Sequence, residues 1–163
     1  MAGRERNDLP DLTETLARLL ARVPPEERPL LIAIAERLAA ERYRRWANES
    51  TDASRKAELL ACARREEEIA GRIEALYPGA AAIQRDIRGK NPDLDEFNRA
   101  IFAERSLPQQ FAIQAQGERL GAATWRAFAA SESASARREA FLTCAELEEE
   151  SALVLESILG ARR

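Results

Sequence analysis

Two short stretches hold the residues from which chemistry would come. CARREEEIA, Cys62 to Ala70, returns as CAELEEESA, Cys144 to Ala152, with the same Cys-Ala opening and the same run of glutamates. Placed on a helix at about 100° per residue, Glu66 falls in the middle of an apolar stripe made by Leu59, Cys62, Ala63, Ile69, Ala70, Ile73 and Leu76. Glu148 does the same among Phe141, Cys144, Ala145, Ser151, Ala152, Leu155 and Leu159, whereas Glu68 and Glu150 turn outward. Glu36 belongs with Ile32, Ala33, Ala39, Ala40, Tyr43 and Ala47, and Glu118 lies between Phe111, Ala122, Trp125 and Ala129. An ionised carboxylate taken out of water without a partner costs several kcal/mol, so four approach or exceed the roughly 5 to 15 kcal/mol that holds a domain together. Bound cations, buried arginines or shared protons must neutralise them. Two divalent cations balance four carboxylates, and oxygen-only ligation suits manganese, iron, magnesium or calcium better than copper or zinc.

The elements that must position these groups are helices. Alanine, leucine, glutamate and arginine dominate the 163 residues, glycine and proline are few, and no run of alternating β-branched residues occurs. Asp8 or Asp11 can cap a short helix running to about Arg22, which Pro24 and Pro25 close. A long helix follows from about Pro25 to Glu49, and the polar run Asn48 to Ser54 separates it from a second, which continues to Tyr77 and is stopped by Pro78. Between Pro78 and Asn91 the segment AAAIQRDI reads as a short helical piece, and Asp93 begins another that ends near Ser106. A third long helix spans about Leu107 to Ala130, the small residues Ser131 to Ser135 turn the chain, and a fourth runs to Leu159. The expectation is a single domain, residues 1–163, built from two antiparallel helical hairpins, each preceded by a short helix.

The two halves are copies. Sliding the chain on itself by 82 positions, without a gap, sets Pro10-Asp11-Leu12 on Pro92-Asp93-Leu94, Glu36-Arg37-Leu38 on Glu118-Arg119-Leu120, and Glu66-Glu67-Glu68 on Glu148-Glu149-Glu150. Tyr43 falls on Trp125 and Trp46 on Phe128, and roughly a third of positions between 10 and 76 are identical. The repeats run from about 10 to 78 and from about 92 to 160. Two such hairpins bury their apolar faces best against each other about a pseudo-twofold axis, which brings the central glutamates of the four long helices into one layer.

Composition removes several function classes. A net charge of −3 with interleaved signs argues against a nucleic-acid surface. No segment approaches the roughly 18 consecutive apolar residues of a membrane span. The opening MAGRERNDLPDL lacks the apolar stretch of a signal peptide, so a cytoplasmic location is expected. Two cysteines and no histidine exclude the usual zinc and cysteine–histidine constellations. Cys62 and Cys144 precede Glu66 and Glu148 by one turn; in antiparallel helices they fall on opposite sides of the glutamate layer, on the order of 10 Å apart, as small core residues. Tyr43, Trp125, Gln114 and Gln116 are candidates to support or shield the carboxylates, and Arg65 sits at the edge of its stripe.

The spacing Glu36-x6-Tyr43 followed by Ala63-x2-Glu66-x2-Ile69-Ala70, with Glu118-x6-Trp125 and Ala145-x2-Glu148-x2-Ser151-Ala152 as its second half, resembles a rubrerythrin-type ferritin-like domain from about Pro29 onward. The resemblance implies an all-α, antiparallel four-helix bundle with one long crossover. It also implies Glu36 and Glu118 as terminal ligands and Glu66 and Glu148 as bridging ligands of two iron or manganese ions. Ile69 and Ser151 stand where that family has its two histidines, and no four-cysteine electron-transfer domain is present. Two function classes follow. One is a ferritin-like protein whose carboxylate-only centre binds iron or manganese, with oxidase or ferroxidase-like chemistry if it is an enzyme. The other is a metal-free relic of that fold acting as a structural or interaction module, with a homodimer as the partner arrangement.

Overall fold

A computed structural model describes residues 9–161, and these form seven α-helices with no strand among them. In order they are α1 (Leu12–Ala21), α2 (Arg28–Glu49), α3 (Ala53–Glu74), α4 (Ala80–Lys90), α5 (Leu94–Phe102), α6 (Leu107–Ser131) and α7 (Ser135–Gly160), with a single 3-10 turn, Pro25–Glu27, before α2. No helix among the described residues is long and apolar enough to cross a membrane.

Local chemistry sets the helix starts. The Asp11 carboxylate accepts from the backbone N–H of Thr13 and Glu14 at 3.0 and 3.2 Å, and Asp52 accepts from Arg55 N–H at 2.9 Å. Asp8, the other candidate cap for α1, lies outside the described residues. Ser106 and Gln109 form a reciprocal capping box at the head of α6. Four ends differ from the sequence expectation: α4 runs past the AAAIQRDI segment to Lys90, α5 stops at Phe102 instead of near Ser106, and two others lie at prolines. Pro25 opens a 3-10 turn, and α2 proper begins three residues later at Arg28. The second long helix stops at Glu74 instead of Tyr77: its last bonds tighten to a three-residue spacing, Leu76 N–H to Ile73 O and Tyr77 N–H to Glu74 O, and Pro78 has no N–H to return to the Glu74 carbonyl. Gly79, at φ 72°, then supplies the left-handed residue that restarts the chain as α4.

Three-residue links force α2 against α3 and α6 against α7 as antiparallel hairpins. The hairpins meet chiefly through α3 and α7, whereas α2 and α6 stand further apart, with α5 packed on α2 and α1 on α6. The 82-residue repeat reappears in side-chain pairing across each hairpin. Arg37 bonds Glu74 at 2.8 Å and its counterpart Arg119 bonds Glu156 at 2.8 Å; Arg44 pairs with Glu67 as Arg126 pairs with Glu149. All eight side chains are substantially solvated, so each pair contributes at most about 1 kcal/mol.

Stability comes from two apolar clusters. The larger gathers Leu30 to Ile34, Ile69, Ile73, Ala122, Trp125, Phe141 and Cys144, with Trp125 stacked on Phe141 at 5.8 Å. The smaller gathers Tyr43, Trp46, Leu59, Cys62, Phe111, Leu155 and Ile158, with Trp46 edge-on to Phe111 at 5.0 Å. Both cysteines are buried and free, one in each cluster, which agrees with their reading as small core residues. Leu30→Ala is expected to cost about 2–5 kcal/mol of unfolding free energy. Leu153, 59% exposed on α7, should cost less than about 0.5 kcal/mol on the same change. Urea unfolding followed by helical circular dichroism measures both, and similar losses would contradict this placement of the core.

Candidate metal centre

On every long helix one glutamate separates the two clusters. Glu36 lies between Ile34 and Tyr43 on α2, Glu66 between Ala63 and Ile69 on α3, Glu118 between Ala115 and Ala122 on α6, and Glu148 between Ala145 and Leu155 on α7. All four are buried, and Glu66 is 0% exposed. Helical spacing therefore turns one carboxylate per helix into a polar layer between apolar halves of a core.

Three of the four converge: Glu36, Glu66 and Glu148 each offer a carboxylate oxygen, and these oxygens all lie within 4.8 Å of one another. Glu118 is not one of that triplet, although it contacts Glu148, and other groups hold its Oε1. The Tyr43 hydroxyl donates to Glu118 Oε1 at 2.5 Å, and the Gln114 amide donates to the same oxygen at 2.8 Å. Glu148 is oriented by the Trp125 indole N–H, which donates to its Oε1 at 3.0 Å. Tyr43 and Trp125, equivalent in the repeat, thus do different jobs. Tyr43 crosses to the other hairpin, while Trp125 stays within its own. Gln116 takes no part and is exposed.

Among the described residues no donor reaches either oxygen of Glu66 or Oε2 of Glu118. Burial pushes the Glu66 carboxyl well above the usual carboxylate range, helped by the charges of Glu118 and Glu36. Burial does the same to Glu148, with Glu36 the next contributor, and raises Glu36 as well. Four cations of the long helices, Arg37, Arg44, Arg119 and Arg126, are paired at the surface, and buried Arg42, whose charge acts on Glu36, bonds none of these carboxylates directly. Only two remedies remain for these oxygens, protons shared between neighbouring carboxyls or a bound cation.

The residues present fit a hard divalent cation. Carboxylate oxygens alone converge, both oxygens of Glu66 are unclaimed among the described residues, and apolar clusters flank the layer on two sides. The positions three residues after Glu66 and Glu148, where the resemblance noted above would place histidines, are filled in two ways. Ile69 is buried as part of the larger apolar cluster. Ser151, also fully buried, accepts a hydrogen bond from Arg65 Nε at 3.0 Å, and the same guanidinium reaches Cys62 Sγ at 3.2 Å and lies 3.9 Å from Glu150. Arg65 therefore seals that flank of the layer without touching a core glutamate.

Two contributors were not picked out by sequence pattern. Gly121, one turn after Glu118, gives Glu148 its room, since a Cβ there would sit 2.5 Å from Glu148 Oε1. A glycine costs about 1 kcal/mol inside a helix relative to alanine, and that unexplained cost was the available signal. Arg42, off the α2 stripe by periodicity, is nevertheless buried, and its Nε donates to Gln114 Oε1 at 3.0 Å. Nothing in a single-helix pattern announces that, because α5 covers it.

Carboxyls with raised pKa take up protons on folding, so they weaken the fold as pH climbs above their ordinary 4.5. Glu156, held low by Arg119, and Glu132, held low by the Ala134 N–H, act in the opposite sense but only below that value. Chelator-treated protein should accordingly lose unfolding free energy between about pH 5 and about pH 8, and a Glu66→Gln, Glu148→Gln double variant should lose much less. Urea titrations at the two pH values test this; stability that rises across the interval would contradict it. Comparison with protein-family models, with curated proteins and with solved structures finds no match to this chain.

Proposed function

We propose that the chain is a ferritin-like four-helix bundle, with α2–α3 and α6–α7 as its hairpins and α4–α5 in the crossover, whose carboxylate layer binds iron or manganese. One observation supports this reading above the others: three buried carboxylates converge, and among the described residues Glu66 has no donor on either oxygen. Glu36, Glu66 and Glu148 are the ligands of one cation in this proposal. Glu118, through its unclaimed Oε2, is the further donor that a second ion shares.

Iron or manganese at such a site supplies one-electron redox chemistry toward oxygen or peroxide, which places oxidation, storage or detoxification among the roles. The chain's own residues supply orientation and partial shelter from water. Trp125 fixes the Glu148 carboxylate, while Tyr43 and Gln114 fix Glu118. The two apolar clusters above and below the layer exclude water on those two sides, which strengthens the charge interactions there.

A second reading, a metal-free structural or interaction module, has its own observation behind it. Tyr43, Gln114 and Trp125 already donate to Glu118 and Glu148, and contacts among the remaining carboxyls allow protons to be shared. Metal content separates the two. Plasma emission on protein purified after expression with added iron or manganese should give about one to two equivalents per chain. Bound metal should raise the thermal midpoint reversibly, and Glu66→Gln with Glu148→Gln should abolish both the metal and that increment. No metal even after anaerobic reconstitution, together with a gain of stability in the double variant, would establish the second reading instead.

A further inference from the structure

The gap between α2 and α6 is not filled. A cavity of about 170 Å³ lies there, bounded by α1 and α5 on the outside and reaching Glu36, Glu118 and Glu148 at its floor. Leu12, Leu16 and Leu19 of α1 and Leu94, Phe97 and Ile101 of α5 line it. Both helices are strongly one-sided, yet α1 buries no residue fully and α5 only Leu94. Their apolar faces therefore look onto space and not onto a closed core. An apolar cavity of about 150 Å³ takes up a benzene-sized molecule, so this one has room for an apolar group of similar or slightly greater size.

Among the residues that line the cavity, the cationic group is Arg42, beside the neutral polar side chains of Thr15, Asn98 and Gln114 and the three glutamates. Arg42 is 7% exposed and its guanidinium lies 3.8 Å above the Phe102 ring. Its Nε donates to Gln114 Oε1 at 3.0 Å and its Nη1 to Asn98 Oδ1 at 2.9 Å, both of them neutral amide oxygens. Its Nη2 makes no hydrogen bond among the described residues, and no carboxylate there stands within ion-pairing distance of it. By hydrogen bonds Glu118 is reached only through the intervening Gln114 amide, and the charges of Glu118, Glu66 and Glu36 act on Arg42 through space without contact. Burial of a guanidinium is costly unless an anion meets it, and its forked donors match a carboxylate better than any other common group.

We propose that this cavity binds a medium-chain monocarboxylate of roughly six to ten carbons, its chain between α1 and α5 and its carboxylate on Arg42. The proposal leans on the metal reading in one respect: an added anion so near the glutamates requires that layer to be neutralised, whether by cations or by shared protons.

Calorimetric titration of octanoate into the full-length protein tests it, with metal content measured on the same sample and the titration repeated after manganese loading. Saturable binding near one per chain is expected, at least tenfold tighter than that of octanol or octylamine. Arg42→Met should weaken it at least tenfold. Since loss of a buried arginine can also unsettle the fold, Leu16→Trp, which fills the cavity from the half-buried face of α1, provides an independent arm. It should block octanoate while leaving helix content and metal content unchanged. Octanoate binding no tighter than octanol, wild-type binding in both variants, or no saturable binding with and without manganese would each overturn the proposal. Octanoate binding by protein that takes up no metal would support this site and count against the metal reading alone.

Discussion

A carboxylate buried among leucines and tryptophans is the least stable thing this fold contains, and the rest of the structure is arranged around tolerating four of them. Desolvation works against each one, mutual repulsion works against all of them together, and the arginines that dominate the cationic composition are spent on surface pairs. What remains near the layer is the buried Arg42 guanidinium, which bonds Gln114 and no glutamate, and a small set of neutral donors: one phenol, one indole and one amide. The neutral donors hold Glu118 and Glu148 in place but do not cancel charge. The two apolar clusters on either side must supply the stability that the layer consumes, and their aromatic anchors, Trp125 with Phe141 and Trp46 with Phe111, sit one in each.

Duplication explains how such a layer arises and divergence explains its present form. A hairpin with one inward glutamate per helix, copied and packed on itself, places four carboxylates at one level without any further selection. The copies have since parted at several places. Tyr43 and Trp125 bond different partners, Gly121 faces Glu148 where the first repeat has Ala39, and Ser151 receives Arg65 where the first repeat has buried Ile69. The outer ion pairs stayed equivalent while the interior ones did not. Surface pairs are weakly constrained by packing, whereas a change at the layer alters which carboxylates can meet. The outcome is a triplet, Glu36, Glu66 and Glu148, of which Glu118 is not a member.

Most of the helices and the inward glutamates were legible in the sequence because both depend on local periodicity. The cap residues Asp11, Asp52 and Ser106, the breaks at Pro24 and Pro78, and the apolar stripes each act within a few residues, so one chain suffices to read them. Helix ends were displaced where two prolines or a Pro-Gly pair compete with the cap. Which glutamates converge was not legible, since it is decided by contacts between helices: Tyr43 reaching Glu118 across the bundle, and Gln114 joining Arg42 to the same oxygen. The burial of Arg42 was hidden for the same reason. On the α2 wheel it lies off the stripe, and only α5, bringing Asn98 and Phe102 over it, removes it from water.

The central claim is that Glu36, Glu66 and Glu148 form a cation site inside the bundle. Anomalous diffraction from crystals grown with manganese tests it most directly. The account predicts a manganese peak in the core, bonded to oxygens of those three glutamates and accompanied by little movement of Trp125. Well-ordered glutamates in the same layer with no peak between them, or manganese confined to the solvent-facing acidic residues, would contradict it.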